Sequence, residues 1–366
     1  MTQNKSFTVA TFNVRNLVNA KTNYYFNKDT GKWKRYSQKA FDQKINWLAE
    51  QLYRMNADHV CLQEIFHKAA LKKLVKAHAD LITARNSSQK PYIEILHAEN
   101  IDSQTDDPRP GLAFISRSKV LTHETVQDIS TNPIEVDGEN GFSYKLDRVS
   151  RPIQMIEVDL GLGVSGWIFN AHLKSKRPQI DDESDAADEA NALFLERTFG
   201  IFRSLALRAG EALALRREIL NKAKGNDTPI IVVGDLNDET GAVTTEMVAG
   251  EAPYRTFDDE VKKLFWDVEL HHAARMHLRR SEHSDFYTHI HNGHYGTIDH
   301  VFVSQEFYYR AANRIGDVSY VTVFNDHLSD DSIQGAPSNR NASDHAQIVV
   351  KIKLDAKRIK AQNASS

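Results

Sequence analysis

The chain has 366 residues, a formal charge of −3 and an apolar fraction of 41%, the make-up of a soluble globular protein long enough for one large α/β unit or two ordinary ones. That charge gives no global drive toward nucleic acid or an anionic membrane, so any such contact has to be local. A single cysteine, Cys61, excludes a disulfide within the chain, and no apolar run reaches bilayer-spanning length.

The polar start, Met1 to Ser6, lacks the apolar core of a secretory signal, and a cytoplasmic location is expected. Phe7 to Phe12 alternates as a strand and ends in Asn13. The stretch from Lys21 to Lys39 is aromatic and basic, with Tyr24, Tyr25, Phe26, Trp33 and Tyr36 among its cations, and reads as an ordered loop. Phe41, Ile45, Leu48 and Leu52 fall at helical spacing behind Ser37, a candidate cap. His59 to Gln63 is a second strand, ending in Glu64, and Lys68 to Leu81 a second amphipathic helix. Strands are expected at Tyr92 to Leu96, Leu112 to Ile115, Ile153 to Val158 and Trp167 to Phe169, the last running into Asn170-Ala171-His172.

An acidic run, Asp181 to Glu189, precedes a long helical pattern reaching Lys224, where it would suit the helix dipole or simply a solvated face. Pro229 then opens the apolar run Ile230-Ile231-Val232-Val233, which stops abruptly at Gly234-Asp235-Leu236-Asn237. Asn292-Gly293 suits a tight hairpin, Ile298 to Val303 a return strand and Ala346 to Ile352 the last strand. No internal repeat or Gly/Ser linker divides the chain, so one domain over residues 1–355 is expected, with residues 356–366 a disordered polar tail.

Polar residues gather at the strand boundaries. Asn13, Glu64, His172 and Asp235 with Asn237 follow apolar runs, whereas Asp299 and Asp344-His345 stand at or before them. In a sheet with antiparallel members the end of one strand lies beside the start of its neighbour, so these groups can meet on one edge. A doubly wound parallel sheet would gather them only at strand C-termini, so mixed sheets are expected. Carboxylate and amide oxygens suit a hard cation such as Mg²⁺, and histidines paired with aspartates suit proton transfer or charge stabilisation. Together they are what metal-assisted phosphoester hydrolysis requires.

In this respect the chain resembles the endonuclease/exonuclease/phosphatase superfamily. The resemblance is carried by Thr11-Phe12-Asn13, Leu62-Gln63-Glu64, Asn170-Ala171-His172-Leu173, Gly234-Asp235-Leu236-Asn237, Ile298-Asp299-His300-Val301 and Ser343-Asp344-His345, in family order. It implies an α/β fold, a four-layer α/β/β/α sandwich of two packed mixed β-sheets with helices on both outer faces. It implies Glu64 as the main metal ligand, with Asn13 and Asp344 completing the metal site. Asp235 and Asn237 would orient water and phosphate, His345 would stand at the scissile phosphate, and Asp299 would orient it. His172 matches a second catalytic histidine. The glutamate that pairs with this histidine in the deoxyribonuclease branch is missing, its place reading Arg109-Pro110-Gly111, so a proton-donor role for His172 loses support. Arg109 is read as a solvated loop arginine ahead of a phosphate contact.

The expected activity is Mg²⁺-dependent hydrolysis of phosphodiesters, with nucleic acid the preferred substrate, Mn²⁺ a substitute metal, and no stable membrane insertion. DNA or RNA would be met through the loop from Lys21 to Lys39, by stacking on its aromatics and tracking of phosphates by its cations. The alternatives are a phosphatase or phospholipase C-type enzyme of the same superfamily, or a phosphate-ligand binding protein without catalysis. His59 and His300 read as core or surface histidines. The histidines between His271 and His294 match no zinc-finger spacing and are assigned to substrate or sheet-edge contacts ahead of zinc.

Overall fold

Along β1 (Ser6–Leu17) two side-chain sets alternate: Ala10, Phe12 and Val14 pack against helices, while Phe7 and Val9 pack into a core between two sheets. The same period of two organises the whole molecule, seen here in a computed structural model that describes residues 5–27, 31–180, 190–278, 286–330, 332–333 and 341–364. The acidic run Asp181 to Glu189 lies outside these described residues.

One sheet contains β1, β4 (His59–Ile65), β5 (Glu94–Ile101), β6 (Pro108–Ser116), β17 (Gly316–Phe324) and β18 (Gln347–Leu354), in the order β17-β18-β1-β4-β6-β5. The other contains β7 (Val120–Asp128), β10 (Arg148–Gly161), β11 (Val164–His172), β12 (Ile230–Asp235), β13 (His271–His272) and β16 (Asp299–Val303), in the order β13-β16-β12-β11-β10-β7. Both are mixed: β1 runs parallel to β4 and antiparallel to β18, and β12 parallel to β11 and antiparallel to β16. Small hairpins are made by β2 (Tyr25–Asn27) with β3 (Lys32–Lys34), β8 (Ile134–Asp137) with β9 (Ser143–Leu146), and β14 (His289–His291) with β15 (His294–Gly296).

Three apolar cores separate four layers. Val9, Cys61 and Phe114 of the first sheet meet Ile168, Ile231, Val233 and Val301 of the second. The outer face of the first sheet buries Phe12 and Leu62 against α1 (Gln38–Met55) and α2 (Lys68–Ala84). The outer face of the second buries Phe169 and Val232 against Leu215 and Ile219 of α3 (Ala190–Ala223). Ser37, the expected cap, caps α1 by accepting from the Ala40 N–H, and Asn56 ends it in the left-handed region.

Several elements depart from the sequence reading. In place of a loop, the described part of the stretch from Lys21 to Lys39 pairs β2 antiparallel with β3, with Phe26 edge-on to Trp33, and ends in the start of α1. The short elements α4 (Val243–Ala249), α5 (Asp259–Val268) and α6 (Ala273–Leu278), with β7, β8, β9 and β17, carry too few apolar periods to stand out in the sequence. Residues 356–363, expected to be disordered, form α7 (Ala356–Asn363). Asp355 caps that helix by accepting from the Lys357 and Arg358 N–H groups, and Ile359 enters the inter-sheet core. One apolar anchor at the right spacing is enough to dock two turns against a finished sheet. Among the described residues, no helix is long and apolar enough to cross a membrane.

Candidate active site

The inter-sheet face changes character along each strand. On β1 it runs Val9, Thr11, Asn13; on β4 Cys61, Gln63; on β11 Ile168, Asn170, His172; on β12 Ile231, Val233, Asp235; and on β16, read backward, Val303, Val301, Asp299. Apolar side chains therefore fill one end of the inter-sheet space. A polar layer follows, in which Gln63 Nε2 donates to Asn170 Oδ1 at 2.8 Å and Asn170 Nδ2 to Gln154 Oε1 at 3.1 Å. The sequence-predicted site residues form the third layer, at the open edge.

Register aligns this layer. His172 is paired with Asp235 across β11 and β12, and Asp235 with Asp299 across β12 and β16. Gly234 permits the close strand approach, because a Cβ there would collide with the Ala171 carbonyl and its φ is +146°. Across the gap, Asn13 Nδ2 donates to Asp235 Oδ2 at 3.0 Å and to Glu64 Oε1 at 3.3 Å, joining the two sheets. Glu64 lies at a register shift between β4 and its neighbours with a φ of +64°, a bulge that re-aims its side chain. Asn16 N–H donates to its Oε2 at 2.8 Å.

His345 reaches the same opening from the start of β18. Ser343 Oγ donates to the Asn13 carbonyl at 2.6 Å and accepts from His345 N–H at 3.0 Å, pinning the segment onto β1. His345 Nδ1 donates to Asp299 Oδ2 at 2.9 Å, and its Nε2 stands 3.7 Å from Asp235 Oδ2. Burial alone would strip His345 of its proton, but Asp299, Asp235 and Asp344 outweigh it and hold the ring protonated well above the ordinary histidine range. Burial pushes Asp235 the other way for a carboxyl, up to about 7, against the pull of His345 and the hydrogen bonds from Asn13 and Asn237.

Asn237, in the left-handed region, donates its N–H to Asp235 Oδ1 at 2.9 Å and its Nδ2 to the Leu173 carbonyl at 2.9 Å. Its Oδ1 is thereby aimed by a fixed amide plane. Asp344 pairs with Arg15 at 3.3 Å. Burial raises the Asp344 carboxyl, and His345, Arg15 and His289 more than offset this. His172 is kept neutral, first by burial and then by the nearby Arg151, so its 3.4 Å approach of Nε2 to Asp235 is not an ion pair. Its Nδ1 has no partner, which agrees with the missing carboxylate inferred from the sequence. Arg109 is on β6, where its Nε and Nη2 both hold Asp102.

All eight sequence-predicted residues thus converge, but not as one ligand set. Asp235, Asp299 and His345 place ligating atoms within 4.8 Å of one another. Because Asp299 and His345 are hydrogen-bonded to each other, we read these two as a histidine–aspartate couple. The donors that fit a hard cation are the oxygens of Glu64, Asp235, Asp344 and Asn13, two of them already linked through the Asn13 amide. Glu64 Oε1 and Oε2 each accept one hydrogen bond, which leaves lone pairs for a metal.

Several neighbours escaped the sequence reading. Lys44 on α1 is buried, its Nζ without a hydrogen-bond partner and 5.8 Å over the Tyr36 ring, its pKa depressed to about 8 by burial and then by Arg15, with Glu64 and Asp344 acting in the opposite sense. Asp238 accepts from Arg208 Nε and Thr244 Oγ1 and pairs with Lys176 at 3.0 Å. Arg177 covers the Tyr25 ring, while Tyr24 stacks on Tyr36 and meets Phe66 just past β4. The β2–β3 hairpin therefore stands between the exit of β4, with Glu64, and that of β11, with His172. Nothing local marks Lys44 or Arg151 in the sequence; only their distance to Glu64 and His172 does. The histidines between His271 and His294 form no single site: His271 stacks on Tyr308, His272 bonds to His300 and His277 meets Tyr320, while His289, His291 and His294 share the β14–β15 hairpin, where His289 meets both His291 and His345. His283 lies outside the described residues.

Two mixed sheets between helices, with carboxylates and a histidine–aspartate couple at one edge, define a hydrolase of phosphate esters. The chain belongs to the endonuclease/exonuclease/phosphatase family, whose sequence model matches residues 10–345. Among solved structures it is similar to a family protein from Bacteroides thetaiotaomicron, at 16% identity, a TM-score of 0.52 and 97% coverage of both chains. It is also similar to a mannosyl-6-phosphatase of the same organism, at 15% identity and a TM-score of 0.50, covering 94% of this chain and 99% of that one. A humanized D. rerio TDP2 matches at 14% identity and a TM-score of 0.52, covering 95% and 98%. At these identities the likeness is one of fold. No curated protein matches the chain.

Proposed function

We propose that the protein is a Mg²⁺-dependent phosphodiesterase that cleaves nucleic acid by attack of an oriented water. The observation that carries this reading is the convergence of Glu64, Asp235 and the Asp299–His345 couple on one opening, bridged by Asn13. Glu64, with Asp344 and Asn13 around it, would hold the cation, which supplies positive charge against the phosphate oxygens when bound. The other roles fall to the chain itself. Asp235, poised near neutrality by its burial, is suited to take the proton of the attacking water. Asn237 Oδ1 orients that water or the phosphate. The His345 ring, held by Asp299 through Nδ1, presents Nε2 to the charge that develops on the phosphate.

Nucleic acid is favoured by the surroundings. Tyr25, Phe26 and Trp33 are exposed on the hairpin beside the opening, with Lys32, Lys34 and Arg177 among them. Aromatic faces and cations together suit splayed bases and a phosphate backbone. The test is a panel of single-stranded and duplex DNA, RNA, phosphomonoesters and phospholipids with Mg²⁺, Mn²⁺ or EDTA. Cleavage of DNA or RNA that is lost in EDTA and in Glu64→Gln is expected. Release of inorganic phosphate or phosphocholine with nucleic acid left intact would replace this reading with a phosphatase or phospholipase C-type one. Tight ligand binding without turnover, unaffected by Asp235→Ala, would make it a binding protein.

A further inference from the structure

Two buried histidines outside the catalytic layer form a hydrogen-bonded chain with one allowed direction. The Asp238 carbonyl can only accept, so His300 Nε2, 2.8 Å away, carries the proton. His300 Nδ1 then accepts, at 2.9 Å, from His272 Nε2. The other end agrees independently: the Arg275 N–H can only donate, and it points at His272 Nδ1 from 3.3 Å. Both ends demand the same pair of neutral tautomers, and a proton added to either ring would set two N–H groups against each other. Burial depresses both rings, His300 to about 4.

The chain of bonds ends on the turn that follows β12. Asp238 is gripped on its side-chain oxygens by Arg208, Thr244 and Lys176 and on its carbonyl by His300. Asn237 sits just before it in the left-handed region, between the Asp235 carboxylate and the Leu173 carbonyl. Arg275 Nη2 braces the same loop by donating to the Thr240 carbonyl at 3.0 Å. Without the His300 donor, the buried Asp238 carbonyl loses its partner and the turn loses the hold on its backbone there.

We infer that His272 and His300 are positioning residues for the hydrolysis: a neutral two-ring relay from α6 that sets the Asn237–Asp238 turn and thereby aims Asn237. For its kinetic consequence this rests on the phosphodiesterase reading; the relay itself does not. The test uses the full chain, labelled with ¹⁵N-histidine, and bis(p-nitrophenyl) phosphate with Mg²⁺ as probe. Long-range ¹H–¹⁵N correlation at pH 7 is expected to show His272 and His300 both in the Nε2–H form. His300→Gln, which can keep an N–H toward Asp238, should retain kcat within a few-fold. His300→Leu should lower kcat by about 10-fold or more, the scale of a small misplacement of a catalytic group. In an Asn237→Ala background the same change should cost little further, because both act through one side chain.

An Nδ1–H or doubly protonated ring overturns the relay. Additive losses with Asn237→Ala, or full activity in a folded His300→Leu, overturn the positioning role. If wild type cleaves no phosphodiester, the phosphodiesterase reading fails and the tautomers still decide the relay.

Discussion

Asp299 is fully buried, and its carboxylate accepts from His345 Nδ1 while its charge also raises the neighbouring Asp235 carboxyl. Replacing it by Asn keeps the volume and leaves an amide oxygen that can accept from Nδ1, but removes the charge that holds the imidazolium. Asp299→Asn should therefore lower kcat by about 100-fold or more while KM changes little, as expected for a group acting in proton transfer or charge stabilisation. Steady-state kinetics on a soluble phosphodiester checks this; a loss carried mainly by KM would place Asp299 against the substrate instead. At this scale the sequence was informative wherever a polar residue interrupts an apolar run. Asn13, Glu64, His172, Asp235 and Asp299 were all visible that way. Lys44, Arg151 and Asp238 were not, because each acts across a gap that no sequence spacing records.

Hairpins and helix ends carry the next set of consequences. Trp33 is 50% exposed and packed edge-on to Phe26, so it is held in place without being buried. Trp33→Ala should weaken single-stranded DNA binding by about 10-fold, within the ~1–3 kcal/mol of one stacked base, and leave turnover of bis(p-nitrophenyl) phosphate unchanged. Fluorescence anisotropy with a labelled oligonucleotide reads the first effect, and unchanged affinity would remove the hairpin from the substrate path. On α7, Ile359 is buried in the inter-sheet core, so Ile359→Ala should destabilise the fold by ~2–4 kcal/mol in urea. A disordered tail would show no change. The hairpin and α7 escaped the sequence for one reason: two or three apolar residues give no readable period, and only docking on the finished sheets makes them ordered.

Over the whole molecule, buried titratable groups set how stability follows pH. His59 and His300 are buried and stay neutral in the fold down to about pH 4, from an ordinary value of 6.5. The unfolded chain takes up these protons first, so their contribution is complete above pH 6.5 and is lost as pH falls through 4. Each ring corresponds to roughly 3 kcal/mol across that window. Glu306 runs the other way: burial raises it to about 7 from 4.5, so its contribution is complete below 4.5 and lost as pH rises through 7. Asp235, also raised to about 7, and His345, held protonated, run the same way as Glu306, but the depressed histidines, which include His78, His172, His272 and His289, outnumber these groups, and the urea midpoint should fall from pH 6.5 to 4.5. His59→Gln should flatten that fall; a midpoint independent of pH would contradict the neutral buried rings.

By itself the sequence determined the period of each strand and the point where each apolar run meets a polar residue. Those two facts placed the polar residues at strand boundaries and pointed to mixed sheets, because side-chain alternation is a local property of extended backbone; the four-layer arrangement and the roles at its edge came from the family resemblance of six motifs in order. Tertiary structure alone decided how the edge works: which carboxylate holds His345, which amide bridges Glu64 to Asp235, and why His172 stays neutral. Those outcomes depend on charges and hydrogen-bond partners brought together from strands far apart in the chain, and their energies exist only once the two sheets have closed on each other.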